Sequence, residues 1–196
     1  MRIFLDVGSY QGQTINRVLN PIFGIDIIYG FEPSPTSYLI VRKRFRKKKR
    51  VTVLNFGLWN ETCSKMLYYE GTRGATIFCD YVTIRKVAEK DAECSFVKAS
   101  DWFKSKLSSN DEIFLKLNCE GCECDIVNDL LDTGEFNKVK AVLIDYDVRK
   151  SPSQSYKQKE LEDRLAKLNI TNVYNYMGKS RIEVLRKVLG QSLNLR

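Results

Sequence analysis

Eleven residues, LKLNCEGCECD from Leu115 to Asp125, crowd a lysine, an asparagine and three acidic side chains around the end of one apolar run. A strand repeats every two residues, so Lys116 and Asn118 share a face, and the turn that follows brings Glu120 beside them before Glu123 opens a helix. Such a cluster can take a proton from a hydroxyl and offset the charge that develops. Glu120 is the candidate base or orienting group, Lys116 the counter-charge and Asn118 their neighbour. Glu123 and Asp145, the residue that ends the run AVLI, would hold adjacent hydroxyls. The chain has no histidine, which leaves carboxylates, Lys, Tyr, Cys or a bound ion to move a proton. The plainer alternative is a helix N-terminus favoured by Glu120 and Glu123, with Lys116 simply paired to them.

A second group lies at the start of the chain. FLDVGSYQG, residues 4–12, reads as a strand ending in Asp6, then a turn in which Gly8 and Gly12 let backbone approach a ligand. It lacks the three-glycine spacing of a dinucleotide fingerprint. About twenty residues beyond the turn, IYGFEPSP ends a second strand in Glu32, where an acidic side chain accepts hydrogen bonds from ribose hydroxyls. Two carboxylates at neighbouring strand ends disfavour a pyrophosphate and suit S-adenosylmethionine (SAM), which carries an amino acid head and a sulfonium. Capping of the next helices is the plainer role for the same two residues.

The elements that must position these groups follow from the pattern. Apolar stretches of five to seven residues alternate with amphipathic segments, the signature of an α/β fold with a parallel sheet covered on both faces. Strands are expected near 2–7, 27–31, 51–56, 112–117 and 139–145, with helices near 12–19, 35–46, 123–131 and 155–168. Ser34 before Pro35 reads as an N-cap, and Asn20-Pro21 stops the first helix. Between 58 and 110, KMLYYEG and TIFCDYV read as short strands about a Gly71/Gly74 turn, and ASDWFKSKL as a capped short helix with Trp102 in the core. The tail segments NVYNYM and RIEVLRKVL read as an antiparallel hairpin around Gly178. No internal repeat or linker divides the 196 residues, so a single domain is expected.

Four motifs in order, DVGSYQG, FEPSP, KLNCEGCE and AVLIDYD, resemble those of the FkbM-type family of SAM-dependent methyltransferases over roughly Ile3 to Arg149. The combination is specific to that family. This sequence departs from it at Ser9-Tyr10, which stand for Ala-Asn, at Asn118, which stands for Asp, and at Asp145, which stands for Glu. The resemblance implies a Rossmann-like class I methyltransferase fold, a seven-stranded, mostly parallel sheet with helices on both faces and an antiparallel C-terminal strand. It also implies O-methyl transfer to a hydroxyl of a sugar or glycan. Asp6, Gly8, Ser9, Gly12, Glu32, Pro33 and Gly57 would contact the cofactor, with Asp101 on the adenine side. The segment from Gly71 to Asp101 would close over cofactor and acceptor. Relative to the family the chain starts at the first strand, so the pocket is expected to be open or completed by a second subunit, as in a homodimer.

Cys119 and Cys122 have zinc-like spacing, but no second pair and no histidine completes a tetrahedral site. A hard cation such as Mg²⁺ is the better-suited metal, with Glu120, Glu123 and Asp145 as oxygen ligands beside a substrate diol. No apolar run spans a bilayer and nothing before Asp6 forms a signal-peptide core, so a cytoplasmic protein with its six cysteines mostly reduced is expected. The net charge is +8, and RKRFRKKKR, Arg42 to Arg50, holds eight basic residues in nine positions. A solvated face is the favoured reading of that run. As a phosphate track it would serve an RNA 2′-O-methyltransferase, the second enzyme reading. A non-catalytic scaffold with this fold is the third.

Overall fold

The computed structural model describes residues 1–82, 90–178 and 181–190. The chain runs β1 (Arg2–Val7), α1 (Gln13–Val18), β2 (Ile27–Phe31), α2 (Pro35–Phe45), β3 (Val51–Leu54), β4 (Gly57–Trp59) and β5 (Cys63–Leu67). It continues through β6 (Ala92–Lys98), α3 (Ala99–Lys106), β7 (Glu112–Leu117), α4 (Glu123–Asp132), β8 (Val139–Ile144), α5 (Tyr156–Lys167), β9 (Val173–Asn175) and α6 (Arg181–Gly190).

Six strands form one sheet in the order β3-β2-β1-β7-β8-β9, and every adjacent pair is parallel. Its central strands are buried on both faces, as a parallel sheet requires. Alternate side chains feed two cores. Ile3, Leu5 and Val7 pack with α3, α4 and α5, while Phe4 packs on the opposite face with α1, α2 and α6. The chain steps outward from β1 to β3 and then returns to lay β7 on the other side of β1. That reversal is a topological switch point, and the crevice beyond its carboxyl ends is where open α/β sheets bind ligands.

Local chemistry sets the boundaries near the site. Ser34 Oγ accepts the Ser37 N–H at 3.1 Å with Pro35 at the first helical position, the expected cap of α2. Asn20 Oδ1 accepts the Ile22 N–H and starts a short 3-10 turn beyond α1. The helix α3 forms where expected and buries Trp102, but its N-cap Lys98 makes no side-chain cap. Asp129 of α4 supplies it instead, accepting the Ser100 N–H at 2.7 Å and the Ser100 hydroxyl at 3.0 Å.

Three expectations are corrected. The sheet has six strands among the described residues, and the seventh, antiparallel one is absent from them. The tail is not a hairpin: Val173–Asn175 pairs parallel to β8, and RIEVLRKVL belongs to the helix α6. The reason is spacing, because Leu185, Val188 and Leu189 fall on one helical stripe and are buried, while Glu183, Arg186 and Lys187 are exposed. Each buried side chain of that stripe contributes roughly 1.5–3 kcal/mol. Third, of KMLYYEG and TIFCDYV only Lys65–Leu67 is strand, and a single Tyr68–Thr76 bridge joins the two segments. The partner that β5 takes is β6, in a separate three-stranded sheet ordered β4-β6-β5. No described helix is long and apolar enough to cross a membrane.

Candidate functional site

The parallel register sets Asp6 of β1 directly opposite Lys116 of β7 and Gly30 of β2. Lys116 Nζ lies 2.9 Å from Asp6 Oδ1, and both side chains are almost fully buried. The same ammonium donates to Val7 O at 3.0 Å and Gly8 O at 2.8 Å. An ammonium has three N–H bonds, so Lys116 is fully committed. It is a tie between two strand ends and a loop, not a spare cation to offset charge on a substrate. The plainer pairing role was right in kind, with Asp6 as the partner in place of Glu120 or Glu123. Asp6 does not line the cavity described below; it lies beneath the loop.

The turn after β1 packs more tightly than a ligand cradle. Gly8 and Gly12 both have positive φ, near 75° and 78°. A Cβ on Gly8 would meet Asn118 O at 1.9 Å, and one on Gly12 would meet the Phe45 ring at 2.3 Å. Both positions therefore demand glycine, but for chain-on-chain contact. Gly12 is outside the cavity and Gly8 is on its wall. Ser9 holds Asp6 O through its hydroxyl.

Glu32 stands just past the end of β2 and lines the cavity. Its Oε2 accepts the Tyr10 N–H at 2.6 Å and its Oε1 the Ser34 N–H at 3.0 Å. Burial pushes its pKa up to about 7, with those two N–H bonds and Lys116 opposing. Each carboxylate oxygen keeps a second lone pair, which is the capacity a ribose diol would use.

The loop between β7 and α4 carries Glu120. Glu120 sits at φ 57°, a left-handed conformation costing on the order of 1–3 kcal/mol in a residue with a side chain. Two contacts hold it there. The Thr76 hydroxyl donates to Glu120 O at 2.6 Å. Glu123 Oε1 accepts the Cys119 N–H at 2.9 Å, and its two oxygens share the Gly121 N–H. Glu123 is thus a brace for the loop and does not reach the cavity, so its expected part in holding substrate hydroxyls is not supported by its position.

Glu120 does line the cavity. The Tyr81 hydroxyl and Lys150 Nζ, the latter at 3.1 Å, both donate to Glu120 Oε2, leaving Oε1 without a hydrogen bond among the described residues. Burial first, and then the charge of Asp147, raise the Glu120 pKa to about 7, against the pull of Lys150 and Tyr81. Tyr81 is itself pushed upward by burial and by Glu120, so it stays a proton donor. Asn118 donates to Asp147 at 3.1 Å and to Asp145 at 3.4 Å, and Arg149 lies 3.4 Å from Asp145. Tyr81, Asp147, Arg149 and Lys150 were not singled out from the sequence. The last three follow β8 in DYDVRK, a charged run at a strand end that could have been read, whereas Tyr81 gives no sequence signal.

One cavity of about 400 Å³ connects these groups. Its wall includes Ser9, Glu32, Pro33, Gly57, Lys116, Asn118, Glu120 and Asp145, and its volume falls within the size range of small-molecule sites. Asp101 is exposed on α3 and lies off this wall, because Ala99, Trp102 and Phe103 form the inward stripe of that helix. Of the segment expected to close over the site, Thr72, Arg73, Ala75, Thr76 and Ile77 line the cavity, while 83–89 lie outside the described residues.

The expected Mg²⁺ ligands do not converge: Glu123 is turned onto amides, Glu120 onto Tyr81 and Lys150, and Asp145 onto Arg149 and Asn118. Among the described residues no group of three or more Cys, Asp or Glu side chains could hold a metal ion. None of the six cysteines forms a disulfide.

Three buried glutamates have pKa values raised toward neutrality. Glu123, pushed up by burial and by Asp147, reaches about 8. Each of Glu32, Glu120 and Glu123 would ionise near 4.5 when unfolded, so between that pH and about 7 to 8 the folded chain holds protons the unfolded chain has lost. Their contribution to stability is therefore greatest at low pH and is lost as pH rises through that window. A rise from 4.5 to about 7 corresponds to on the order of 3 kcal/mol for one fully buried group. The midpoint of urea unfolding is expected to fall between pH 5.5 and 8, and Glu123→Gln should flatten the fall. A midpoint that climbs over this range would contradict the assignment.

Fold and site together define an α/β protein with a cavity at a topological switch point, walled by two buried carboxylates, Glu32 and Glu120, that both have raised pKa values. Comparison with protein-family models finds no match, and no curated protein matches the chain. Among solved structures the chain is similar to the crystal structure of the methyltransferase FkbM from Methylobacillus flagellatus KT, at 14% identity and a TM-score of 0.48. The similarity covers 87% of this chain and 38% of that one, so this chain spans well under half of that protein's length.

Proposed function

We propose that the protein is a SAM-dependent O-methyltransferase acting on a hydroxyl of a sugar or glycan. The observation that carries the reading is that one cavity is walled by Glu32 and by Glu120. The four sequence motifs, two of which contain these glutamates, support the same reading. Glu32 would hold the donor's ribose hydroxyls, with Ser9, Pro33 and Gly57 on the same wall. When bound, SAM supplies an electrophilic methyl group, so the acceptor oxygen needs only alignment, exclusion of water and loss of one proton. Glu120 Oε1 accepts that proton, while Tyr81 and Lys150 fix the other oxygen. Asp145, tied back through Asn118 and Arg149, orients a neighbouring hydroxyl.

The RNA reading draws no support from the basic run. The chain enters β3 at Val51, opposite Ile28 near the amino-terminal end of β2, so Arg46 to Lys49 lie at the sheet edge away from the cavity. The test of the main reading is calorimetric titration with SAM and its demethylated product, followed by tritiated-methyl transfer to a panel of glycans and RNAs. Binding of both is expected, weakened about tenfold to hundredfold in Glu32→Ala, since a charge-assisted contact would be lost. Absence of heat with either ligand would end the SAM reading, and label appearing only in RNA would change the acceptor class.

A further inference from the structure

We infer that the acceptor is an anion, a sugar bearing a carboxylate or a phosphate, held by Arg17 and Arg73 on the cavity wall. This rests on the methyl-transfer reading and narrows its substrate class. The argument is one of unbalanced charge. Every carboxylate on the cavity wall is already answered: Glu32 by two backbone N–H groups, Glu120 by Tyr81 and Lys150, and Asp145 by Asn118 and Arg149. Lys116 is spent on Asp6 and two carbonyls.

The two arginines are different. They come from separate elements, Arg17 from α1 and Arg73 from the segment after β5, and both line the cavity and are exposed. Among the described residues neither guanidinium has a carboxylate within ion-pair distance or a hydrogen bond. Arg73 rests over the Tyr10 ring at 5.9 Å, a contact that orients a guanidinium without using its N–H donors. Arg2 pairs with Glu112, Arg149 with Asp147 and Arg164 with Asp132, whereas Arg42 and Arg46, also without an ion pair among the described residues, lie off the cavity wall. A guanidinium fork matches carboxylate and phosphate oxygens two at a time, which a neutral sugar hydroxyl cannot reproduce.

The donor also carries a carboxylate, so the experiment must separate two sources of the same chemistry. The chain saturated with the demethylated donor product is titrated with glucose, glucuronic acid and glucose 6-phosphate at low salt, and SAM affinity is measured in parallel. The charged sugars are expected to bind at least roughly tenfold tighter than glucose, and Arg17→Gln with Arg73→Gln to remove that preference while SAM affinity stays within about twofold. The preference should also fade with added salt. Equal binding of the three sugars, binding of none of them, or a preference that survives in the double variant overturns the inference and leaves the methyl-transfer reading standing. A loss of SAM affinity with the sugar preference unchanged assigns the arginines to the donor's carboxylate and overturns it too. Failure of SAM and its product to bind the unmodified chain removes the methyl-transfer reading itself.

Discussion

Turnover of Glu120→Gln is expected to fall by about 10²–10⁴-fold on the true acceptor, the range a positioned base contributes, with SAM affinity little changed. Glutamine keeps the size of the side chain and can still accept from Tyr81 and Lys150 through its carbonyl oxygen, so the loop at φ 57° need not move. What disappears is the oxygen that takes the proton. The unmodified enzyme should show kcat/KM rising as pH increases through about 7, where Glu120 loses its own proton, and then levelling. The variant should lack that rise. Full turnover in Glu120→Gln, with SAM bound normally, would remove Glu120 from the chemistry.

Lys116→Met is expected to cost about 3–5 kcal/mol of folding stability, the usual effect of stripping one partner from a buried ion pair. Asp6 would be left fully buried with no positive neighbour at 2.9 Å, Gly8 O would lose the Lys116 donor, and Val7 O would keep only the Asn118 N–H at 3.2 Å. Asp6→Asn placed in the same chain removes the stranded charge, so the double variant should recover a large part of the loss. Denaturant unfolding of the two single variants and the double one measures the coupling. If the single losses simply add, the pair is not the tie that joins β1 to β7.

Much of the frame was legible because the parallel strands are buried on both faces and read as plain apolar runs: Arg2–Val7, Ile27–Phe31 and Glu112–Leu117 fall where the sequence places them. The tail was misread since Val184-Leu185 and Val188-Leu189 mimic short strands in a narrow window, and only the three- and four-residue spacing of the buried set reveals α6. The strand β6 escaped because Cys94 and Phe96 are its only strongly buried apolar side chains. In the site, residue types and strand ends identified Glu32, Glu120 and Asp145 as cavity residues. They could not show which way a lysine or glutamate would spend its hydrogen bonds. Lys116 is committed to backbone 108 and 109 residues away, and Glu120 takes partners 30 and 39 residues distant, contacts that only the folded chain creates. Glu123, two residues from the Gly121 amide it braces, shows the opposite limit: a contact local in sequence that neither the substrate role nor the helix-start alternative described.

The lack of imidazole gives the three raised glutamates a wider meaning. In most proteins histidines dominate side-chain buffering around neutrality and drown the signal of any single functional acid. Here, among the described residues, the carboxylates raised into that range are Glu32 and Glu120 on the cavity wall and Glu123 in the loop beside it. Vibrational difference spectra in the carboxyl-stretch region would watch this crevice charge and discharge with no imidazole bands overlapping it.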